Sequence, residues 1–357
     1  MVGSMRVWSL VAVIAIVGWW QDAARGDYLL VTCNRSGEVL KMDPTDGRVI
    51  GRFQTGGNPH EVVVLPGGTT AATAMYGDGI YGKNANPGRE VVVFNLSDMT
   101  QSARHSTTPY LAPHGLAVDT GRPEAPLLVA SDLSSRVLRM RVGSTSTISN
   151  EDRIVAAVDA AGPCHWVCVP ETGDSEARIA VTSNKGSEYL SVIDLQTDRR
   201  TGVIELPRGA QHLAATPDGR TIYAADYSEP VLHVVDVPSQ SVTGTIALTA
   251  PAGWVSVTGD GQYVLAAAFT INDRPDRPGT IDVIDVEKGS VLHTIRAGRW
   301  PFASTSTPDG ETAFVTDYKA EMVHLIDMAT FEVTRSHAAP GGPESVVYVA
   351  ELDNAPE

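Results

Sequence analysis

An internal repeat constrains the fold of this chain more than any other feature of its sequence. Each copy has a turn rich in Gly and Pro, a short β-branched run, a second turn, a second run, and a third run that ends in Asp. The copies begin at anchor positions 60, 114, 165, 212, 254, 301 and 344, so that successive copies are 42 to 54 residues apart. A period of this length is typical of one four-stranded β-propeller blade.

The runs within each copy predict short strands along the whole chain. First runs include Glu61–Val64 and Leu213–Thr216, second runs include Val181–Asn184, and third runs include Leu190–Asp194. The Asp that closes a third run is suited to cap the next turn by accepting a backbone N–H bond. Outside the N-terminal segment, no stretch long enough for a helix shows a period of 3.6 residues. The sequence therefore predicts an all-β protein.

Seven copies predict a seven-bladed ring, and the two ends of the chain predict how that ring closes. The residues after Asp27 begin with a second-strand phrase, whereas Glu344–Val349 is a first-strand phrase with none of its companions after it. We expect this C-terminal strand to complete the blade formed by the N-terminal three strands, which removes an exposed sheet edge. The predicted organisation is one propeller domain over residues 27–352 and a short tail at 353–357.

The repeat phrases resemble the YVTN family of propeller repeats. That consensus combines a Pro-His-Gly-like anchor, a Pro-Asp-Gly turn, a Tyr-Val-Thr-Asn strand and a Val-Ile-Asp strand, and matching phrases here are Pro113-His114-Gly115, Pro217-Asp218-Gly219 and Val192-Ile193-Asp194. The resemblance covers nearly all of residues 27–352 and implies the same seven-bladed fold. Because the family includes lactonase-like enzymes and surface proteins, the resemblance implies no single activity.

The first 26 residues predict a signal peptide. Arg6 precedes an uncharged run, Val7–Trp20, and Ala24-Arg25-Gly26 places small residues where a cleavage site needs them. The uncharged run is too short to span a bilayer as a helix. We therefore expect export, cleavage before Asp27, a secreted or periplasmic mature protein, and no stable membrane span.

Charge and cysteine content exclude other classes of function. The formal net charge is −15, and a surface that acidic repels phosphate backbones, so we expect no nucleic-acid partner. The chain has three cysteines, Cys33, Cys164 and Cys168, too few for a disulfide scaffold. In a regular strand the two later thiols point away from His165, which lies between them. We expect all three cysteines to be packing residues.

Four consecutive repeats place a histidine at the anchor, namely His60, His114, His165 and His212. In a propeller the first strand of each blade lines the central channel, so these anchors converge on one mouth. Neutral imidazoles are good ligands for Fe, Cu or Zn, which makes a divalent transition metal one interpretation. The alternatives are that duplication copied a hydrogen-bonding histidine from the repeat consensus, or that the histidines bind a ligand or act as a general base without metal.

Other polar side chains are expected on the same rim, where they would support the histidines or bind a ligand. Any of them can equally stabilise a turn by hydrogen-bonding to nearby backbone. The supporting residues predicted are Glu344, Asp132, Asn184, Asp226, Asp317 and Tyr76. Two enlarged loops, Gly77–Arg89 and Thr270–Gly279, are also predicted to overhang this mouth. Long loops in a compact fold are often lids or binding elements.

The sequence thus predicts a metal or small-molecule site at the channel mouth. One version is metal-assisted, lactonase-like hydrolysis, in which the cation polarises a carbonyl or activates water. The lactonase propellers that depend on metal use Glu, Asn and Asp ligands more than His, so four histidines depart from that pattern. The alternative is a binding scaffold with no catalytic role and no cofactor.

Overall fold

The computed structural model describes residues 26–78, 84–143, 152–171, 173, 178–226, 228–268 and 279–350. These residues form seven four-stranded antiparallel sheets, and each innermost strand packs against the innermost strand of the next sheet to close a ring. The protein is a seven-bladed β-propeller, as the sequence predicted. The signal peptide predicted at 1–26, apart from Gly26, and the tail predicted at 353–357 lie outside the described residues.

Within the described residues there are 28 strands and one 3₁₀ turn, Asp132–Ser134. Blade 1 contains β28 (Pro343–Val349), β1 (Tyr28–Cys33), β2 (Glu38–Met42) and β3 (Val49–Gln54). Blade 2 contains β4 (Pro59–Val64), β5 (Thr70–Asp78), β6 (Asn86–Asn95) and β7 (Gln101–Ser106). Blade 3 contains β8 (Pro113–Val118), β9 (Leu127–Ser131), β10 (Arg136–Met140) and β11 (Ile154–Asp159).

The remaining blades follow the same order from the axis outward. Blade 4 contains β12 (Cys164–Cys168), β13 (Ile179–Asn184), β14 (Tyr189–Asp194) and β15 (Arg199–Glu205). Blade 5 contains β16 (His212–Ala215), β17 (Thr221–Asp226), β18 (Val231–Asp236) and β19 (Ser241–Ala247). Blade 6 contains β20 (Trp254–Val257), β21 (Tyr263–Ala268), β22 (Thr280–Asp285) and β23 (Ser290–Arg296). Blade 7 contains β24 (Pro301–Ser306), β25 (Thr312–Asp317), β26 (Met322–Asp327) and β27 (Glu332–Ala338).

The ring closes in blade 1, where the C-terminal strand β28 pairs with β1 in the predicted manner. The pairing is antiparallel and runs from Tyr28 opposite Val349 to Cys33 opposite Pro343. Val346 and Leu29 are buried in the apolar cluster that joins blade 1 to blade 7. Closure therefore combines main-chain hydrogen bonds with burial of apolar side chains.

Neighbouring blades are joined by apolar clusters and by hydroxyl groups that hydrogen-bond across the gap near the axis. The Thr32 hydroxyl of blade 1 donates to the His60 carbonyl of blade 2 at 2.7 Å, and the Ser183 hydroxyl of blade 4 donates to the Gln211 carbonyl of blade 5 at 2.8 Å. These bonds satisfy innermost carbonyls that no strand of their own sheet reaches. They link neighbouring blades close to the axis.

An ionic network joins blades 3 and 4 away from the axis. The fully buried Arg139 donates to Asp119 at 2.7 Å and to Asp198 at 2.5 Å. Arg178 forms an ion pair with Asp119, and Arg122 lies 3.2 Å from Asp198. Because Asp119 has no exposed side-chain surface, its charge depends on these guanidinium groups for compensation.

The loop predicted over Gly77–Arg89 is partly strand. Strands β5 and β6 extend beyond the rest of the sheet as a longer hairpin, in which Gly77 pairs with Pro87 and Asp78 with Asn86. A loop prediction was natural for this Gly- and Asn-rich stretch, but the ladder of a neighbouring strand overrides weak local propensity. Residues 79–83 of this loop and nearly all of the loop predicted at 270–279 lie outside the described residues.

The three cysteines are free thiols, as expected for packing residues. Cys33 and Cys164 are buried, and Cys168 is half-buried. Burial raises the pKa of each thiol to about 12, so all three are uncharged at neutral pH.

Candidate metal centre

In five of the seven blades, a β-bulge lies at the axial end of the innermost strand. In blade 2, Pro59 pairs with Met75 and Val62 with Thr73, so that His60 and Glu61 together oppose one residue of β5. The same two-against-one arrangement occurs in blades 1, 3, 4 and 7. A bulge breaks the alternation of side chains along a strand. Two successive residues of each bulged strand can therefore both contribute to the centre of the ring.

Three of the four predicted histidines, His60, His114 and His165, occupy the first position of this bulge. His212 does not. In blade 5 the Gln211 N–H donates to the Ala225 carbonyl at 2.9 Å while His212 pairs with Ala225 in the ladder, so Gln211 holds the first position and His212 the second. The prediction that all four histidines share one structural position is therefore wrong by one residue for His212.

The aromatic rings at these positions form two contact series around the axis. His60, His114 and His165 make the first, with ring centroids 4.0 Å and 3.7 Å apart. His212 makes the second with Trp166 and Trp254, each at 3.9 Å. All four histidines are at most 4% exposed. The rings of these residues thus pack closely against one another near the axis.

One small cavity remains between the rings. It has a volume of about 10 Å³, roughly the room that one water molecule or ion needs. Its lining comprises His60, Glu61, His114, His165, Gln211, His212, Gly253, Trp254 and Phe302. The cavity is therefore lined by residues of both contact series, and its lining combines polar side chains with the large aromatic side chains of Trp254 and Phe302.

His60, Glu61 and His114 form a group that can hold a metal ion. One ligand atom from each lies within 4.8 Å of the ligand atoms of the other two, and all three residues are buried. His60 Nδ1 lies 3.3 Å from Glu61 Oε1 but outside hydrogen-bonding geometry. His60 Nδ1, Glu61 Oε1 and His114 Nδ1 make no hydrogen bond to any described residue. Buried polar atoms without partners are rare, and a missing ion or water is one reason for them.

The two histidines of this group differ in their charge state. Burial lowers the pKa of His114 well below its usual value, and the nearby His165 and His60 act in the same direction. Burial also acts to lower the pKa of His60, but the carboxylates of Glu344 and Glu61 outweigh it, and the pKa is raised. Burial raises the pKa of Glu344 to about 7, although His60 opposes this.

Glu344 is placed to orient His60. Its Oε1 lies 3.1 Å from His60 Nε2, on the ring edge opposite Nδ1 and Glu61. A carboxylate on the far nitrogen of a ligand histidine fixes the tautomer that leaves the near nitrogen free. The structure thus brings the predicted supporting residue Glu344 to the predicted ligand His60.

Asp132 and Tyr76 also contact the histidines, and the two residues are hydrogen-bonded to each other. The Tyr76 phenol donates to Asp132 Oδ2 at 3.0 Å, and its ring contacts His60 and His114 edge-on. Asp132 Oδ2 lies 3.5 Å from His165 Nδ1. Burial acts to raise the pKa of Asp132, but His165 and the charge of Lys185 keep it below its usual value. Asp132 therefore remains a carboxylate beside the rings.

The remaining predicted residues serve their own blades. Asn184 donates its amide to the Ser191 hydroxyl at 2.8 Å. Asp317 accepts the backbone N–H groups of Trp300 at 3.0 Å and Ala320 at 3.0 Å, which makes it a turn cap in blade 7. Asp226 ends β17, but its side chain lies outside the described part of the structure. The turn interpretation describes the contacts of Asp317, whereas the Asn184 side chain bonds to a residue of strand β14.

Sequence reasoning missed Glu61, Gln211 and the aromatic pair Trp254 and Phe302. Glu61 follows His60 directly, and alternation along a regular strand places it on the opposite face. Only the bulge turns both residues to the axis. The signal that could have found Glu61 is its neighbour: an acid adjoining an anchor histidine occurs in just one of the four histidine repeats.

Comparisons with known proteins agree on architecture. No family model and no curated protein matches the chain, so the YVTN resemblance stays an expectation. Among solved structures, the chain is similar to a Kuenenia stuttgartiensis hydrazine synthase, with 14% identity, a TM-score of 0.63, and coverage of 82% of this chain and 95% of that one. It is also similar to a functionally unknown protein from Desulfotomaculum acetoxidans, with 8% identity, a TM-score of 0.69, and coverage of 91% and 99%. The likeness is one of fold.

A membrane-spanning helix is not found in the described residues, since none of them forms a helix that is long and apolar enough. The uncharged run at Val7–Trp20 lies outside the residues searched.

Proposed function

We propose that this protein binds a divalent transition metal at the centre of its propeller, with His60, Glu61 and His114 as ligands. The observation that carries the proposal is the set of three buried ligand atoms, His60 Nδ1, Glu61 Oε1 and His114 Nδ1, which lack hydrogen-bond partners among the described residues. Leaving such atoms unsatisfied costs about 1–3 kcal/mol each, and more for a charged group. A bound cation removes that cost from all three at once.

Two histidines and one carboxylate are a donor set that suits Fe(II) or Zn(II). The lowered pKa of His114 keeps its imidazole neutral, which is the form that binds a metal. Glu344 would hold His60 in the tautomer that leaves Nδ1 free. Asp132 would hold the ring of His165, and Tyr76 would pack against the rings of His60 and His114. His165 and His212 line the same cavity, where they stand close to the ion without belonging to the proposed ligand set.

The cavity volume argues against the lactonase-like version of this function. A space of about 10 Å³ accepts one water-sized molecule, whereas a lactone ring with its substituents needs several times that room. A metal site enclosed in this way suits chemistry on very small molecules or a role as a binding scaffold. We therefore favour a metal-binding protein without hydrolase activity on ring substrates.

Metal analysis of the purified protein tests this proposal. We expect about one equivalent of Fe(II), Co(II) or Zn(II) to be retained after dialysis, because three protein ligands lie on a rigid ring. His60→Ala combined with His114→Ala should abolish stoichiometric binding. Glu344→Gln should weaken binding by about 10- to 100-fold, since it removes the carboxylate that orients a ligand. The ligand-field spectrum of the Co(II) protein would report histidine and carboxylate coordination.

The matched control is His293→Ala, because His293 is exposed on the outer strand β23 and stacks on Phe331 far from the cavity. That variant should bind as much metal as the parent protein. Equal metal content in the double variant and in the control would overturn the proposal. A protein that binds no metal at all would favour the scaffold alternative.

We further propose that the protein is exported. The support is the charged and apolar pattern of residues 1–26. Intact-mass measurement of protein recovered from the medium or periplasm is expected to show a chain that begins at or near Asp27. A full-length chain in the cytosol that still begins at Met1 or Val2 would contradict this expectation.

A further inference from the structure

A second group of reactive side chains lies on the two outer strands of blade 7, among residues that do not line the central cavity. Ser336 on β27 and His324 on β26 are cross-strand neighbours, and Ser336 Oγ is hydrogen-bonded to His324 Nδ1 at 2.7 Å. Ser336 is exposed, whereas His324 is only 8% exposed. A hydroxyl group that solvent can reach is therefore held against a buried imidazole.

Asp317 lies on the other side of this imidazole. Its Oδ2 is 3.5 Å from His324 Nε2, which is an ion-pair distance but outside hydrogen-bonding geometry. The carboxylate also accepts the backbone N–H groups of Arg299 at 2.5 Å and Trp300 at 3.0 Å. Burial acts to raise the pKa of Asp317, but His324 and these N–H groups outweigh it, so the pKa is lowered. Gly298 leaves room for the contact, since a Cβ there would lie 2.7 Å from His324 Nε2.

The carboxylate of Asp317 decides which nitrogen of a neutral His324 carries the proton. It favours the proton on Nε2, and Nδ1 can then only accept a hydrogen bond. Ser336 is therefore the donor in the 2.7 Å bond. A serine that donates to an imidazole, which a carboxylate orients in turn, is the arrangement that activates a serine nucleophile. Hydrogen bonds in such arrangements are often long before substrate binds.

Blade 6 shows how the same position in the repeat serves a structural role. Its matching cross-strand pair is Asp282 and Thr294, and Asp282 accepts the Thr294 hydroxyl at 2.8 Å. Asp282 also accepts the backbone N–H and the hydroxyl of Thr249, at 2.6 Å and 2.7 Å, and so anchors the loop before β20. In blade 7, by contrast, His324 Nε2 makes no hydrogen bond to any described residue and anchors no loop. The imidazole is thus available as a base.

We propose that Ser336 and His324 are the nucleophile and the general base of a second site, which hydrolyses small carboxylic esters, with Asp317 as a positioning residue. Ser336 Oγ bonds to the ester carbonyl carbon while its proton passes to His324 Nδ1. That proton then goes to the leaving alcohol as the ester C–O bond breaks. Water attacks the acyl group next and gives a proton to Nδ1, which returns it to Oγ as the carboxylic acid leaves. The inference does not depend on the proposed metal site.

Labelling with a fluorophosphonate probe, followed by mass mapping of the labelled peptides, tests the proposal. We expect Ser336 to react about 100-fold faster than Ser239, because a positioned general base contributes at least that much. Ser239 is the internal control, since it is exposed and its hydroxyl donates to the carboxylate of Asp236 at 2.5 Å, with no imidazole in the bond. Treatment with EDTA should leave the labelling of Ser336 unchanged.

Three variants assign the roles by their effect on p-nitrophenyl acetate hydrolysis and on labelling. Ser336→Ala should abolish hydrolysis above the buffer rate, whereas the matched control Ser239→Ala should hydrolyse the ester like the parent. His324→Gln should slow labelling of Ser336 by about 100-fold. For Asp317→Asn the readout is the ¹⁵N spectrum of the His324 ring, which should change from the Nε2-protonated tautomer to a mixture of both.

The comparison of Ser336 with Ser239 is made within the parent chain, so it stands even where a variant folds poorly. Equal labelling of the two serines would overturn the inference and leave the Ser336 contact as a brace between β26 and β27. Ester hydrolysis that survives in Ser336→Ala would also overturn it. Hydrolysis and labelling that EDTA abolishes would assign the activity to the metal site and contradict the proposed serine mechanism.

Discussion

Deletion of Pro343–Glu357 is expected to unfold the propeller. The deletion removes β28, which pairs along its length with β1 and buries Val346 between blades 1 and 7. Blade 1 would lose its innermost strand, and the ring would lose contacts on both sides of the gap. A chain left with an unpaired edge at the axis should show no cooperative thermal transition and should be digested by protease at low concentrations.

Two companion chains show whether the strand itself matters. Deletion of residues 351–357 alone leaves all of the described strands in place and should keep the melting temperature of the parent. A permuted chain, in which Pro343–Ala350 is fused through a short Gly-rich linker before Asp27, should fold, because Val349 lies opposite Tyr28 and a hairpin can connect them. A β28 deletion that melts like the parent protein would show that closure contributes nothing to stability.

Replacement of Arg139 by Leu is expected to lower the free energy of unfolding by about 3–5 kcal/mol. The guanidinium bridges Asp119 of blade 3 and Asp198 of blade 4 and also donates to the Leu195 carbonyl at 3.2 Å. Without it, the ion-pair partners left among the described residues are Arg178 for Asp119 and Arg122 for Asp198. Removing one partner of a buried ion pair leaves a charge that the protein interior does not solvate.

Urea unfolding of matched variants measures this effect. The control is Arg52→Leu, since Arg52 pairs with Glu38 at 3.0 Å but its side chain is 47% exposed. Exposed pairs contribute about 0–1 kcal/mol, so this control should unfold at nearly the parent midpoint. If Arg139→Leu changed the free energy of unfolding no more than Arg52→Leu does, the network between blades 3 and 4 would not stabilise the protein.

The blades were predictable because each repeat carries local signals of turn and strand. Pro217-Asp218-Gly219 turns the chain between β16 and β17, and the run Leu190–Asp194 becomes β14 with small changes at its ends. Counting such phrases needs no knowledge of contacts between distant residues. Closure was also predictable, since a lone first-strand phrase at one end and a missing first strand at the other leave one pairing that satisfies both edges.

The candidate site was predictable only in part. Repeat position brought His60, His114 and His165 to the axis, and it brought Glu344 beside His60 across the closing blade. It did not reveal that His212 lies one position further along its strand, where it is stacked between two indoles. It also did not identify Glu61, which only the bulge in β4 brings beside His60.

The sequence by itself determined the class of fold, the number of blades, the pairing that closes the ring and the convergence of the histidine anchors on one axis. These follow from periodic local patterns and from the need to pair every strand edge. Only the tertiary structure decided which atoms share the central cavity, because a bulge is set by hydrogen bonds between strands and by the packing of neighbouring blades. One extra residue in β4 brings Glu61 beside His60, and packing between blades places His212 between Trp166 and Trp254, which leaves room for about one small molecule among these side chains.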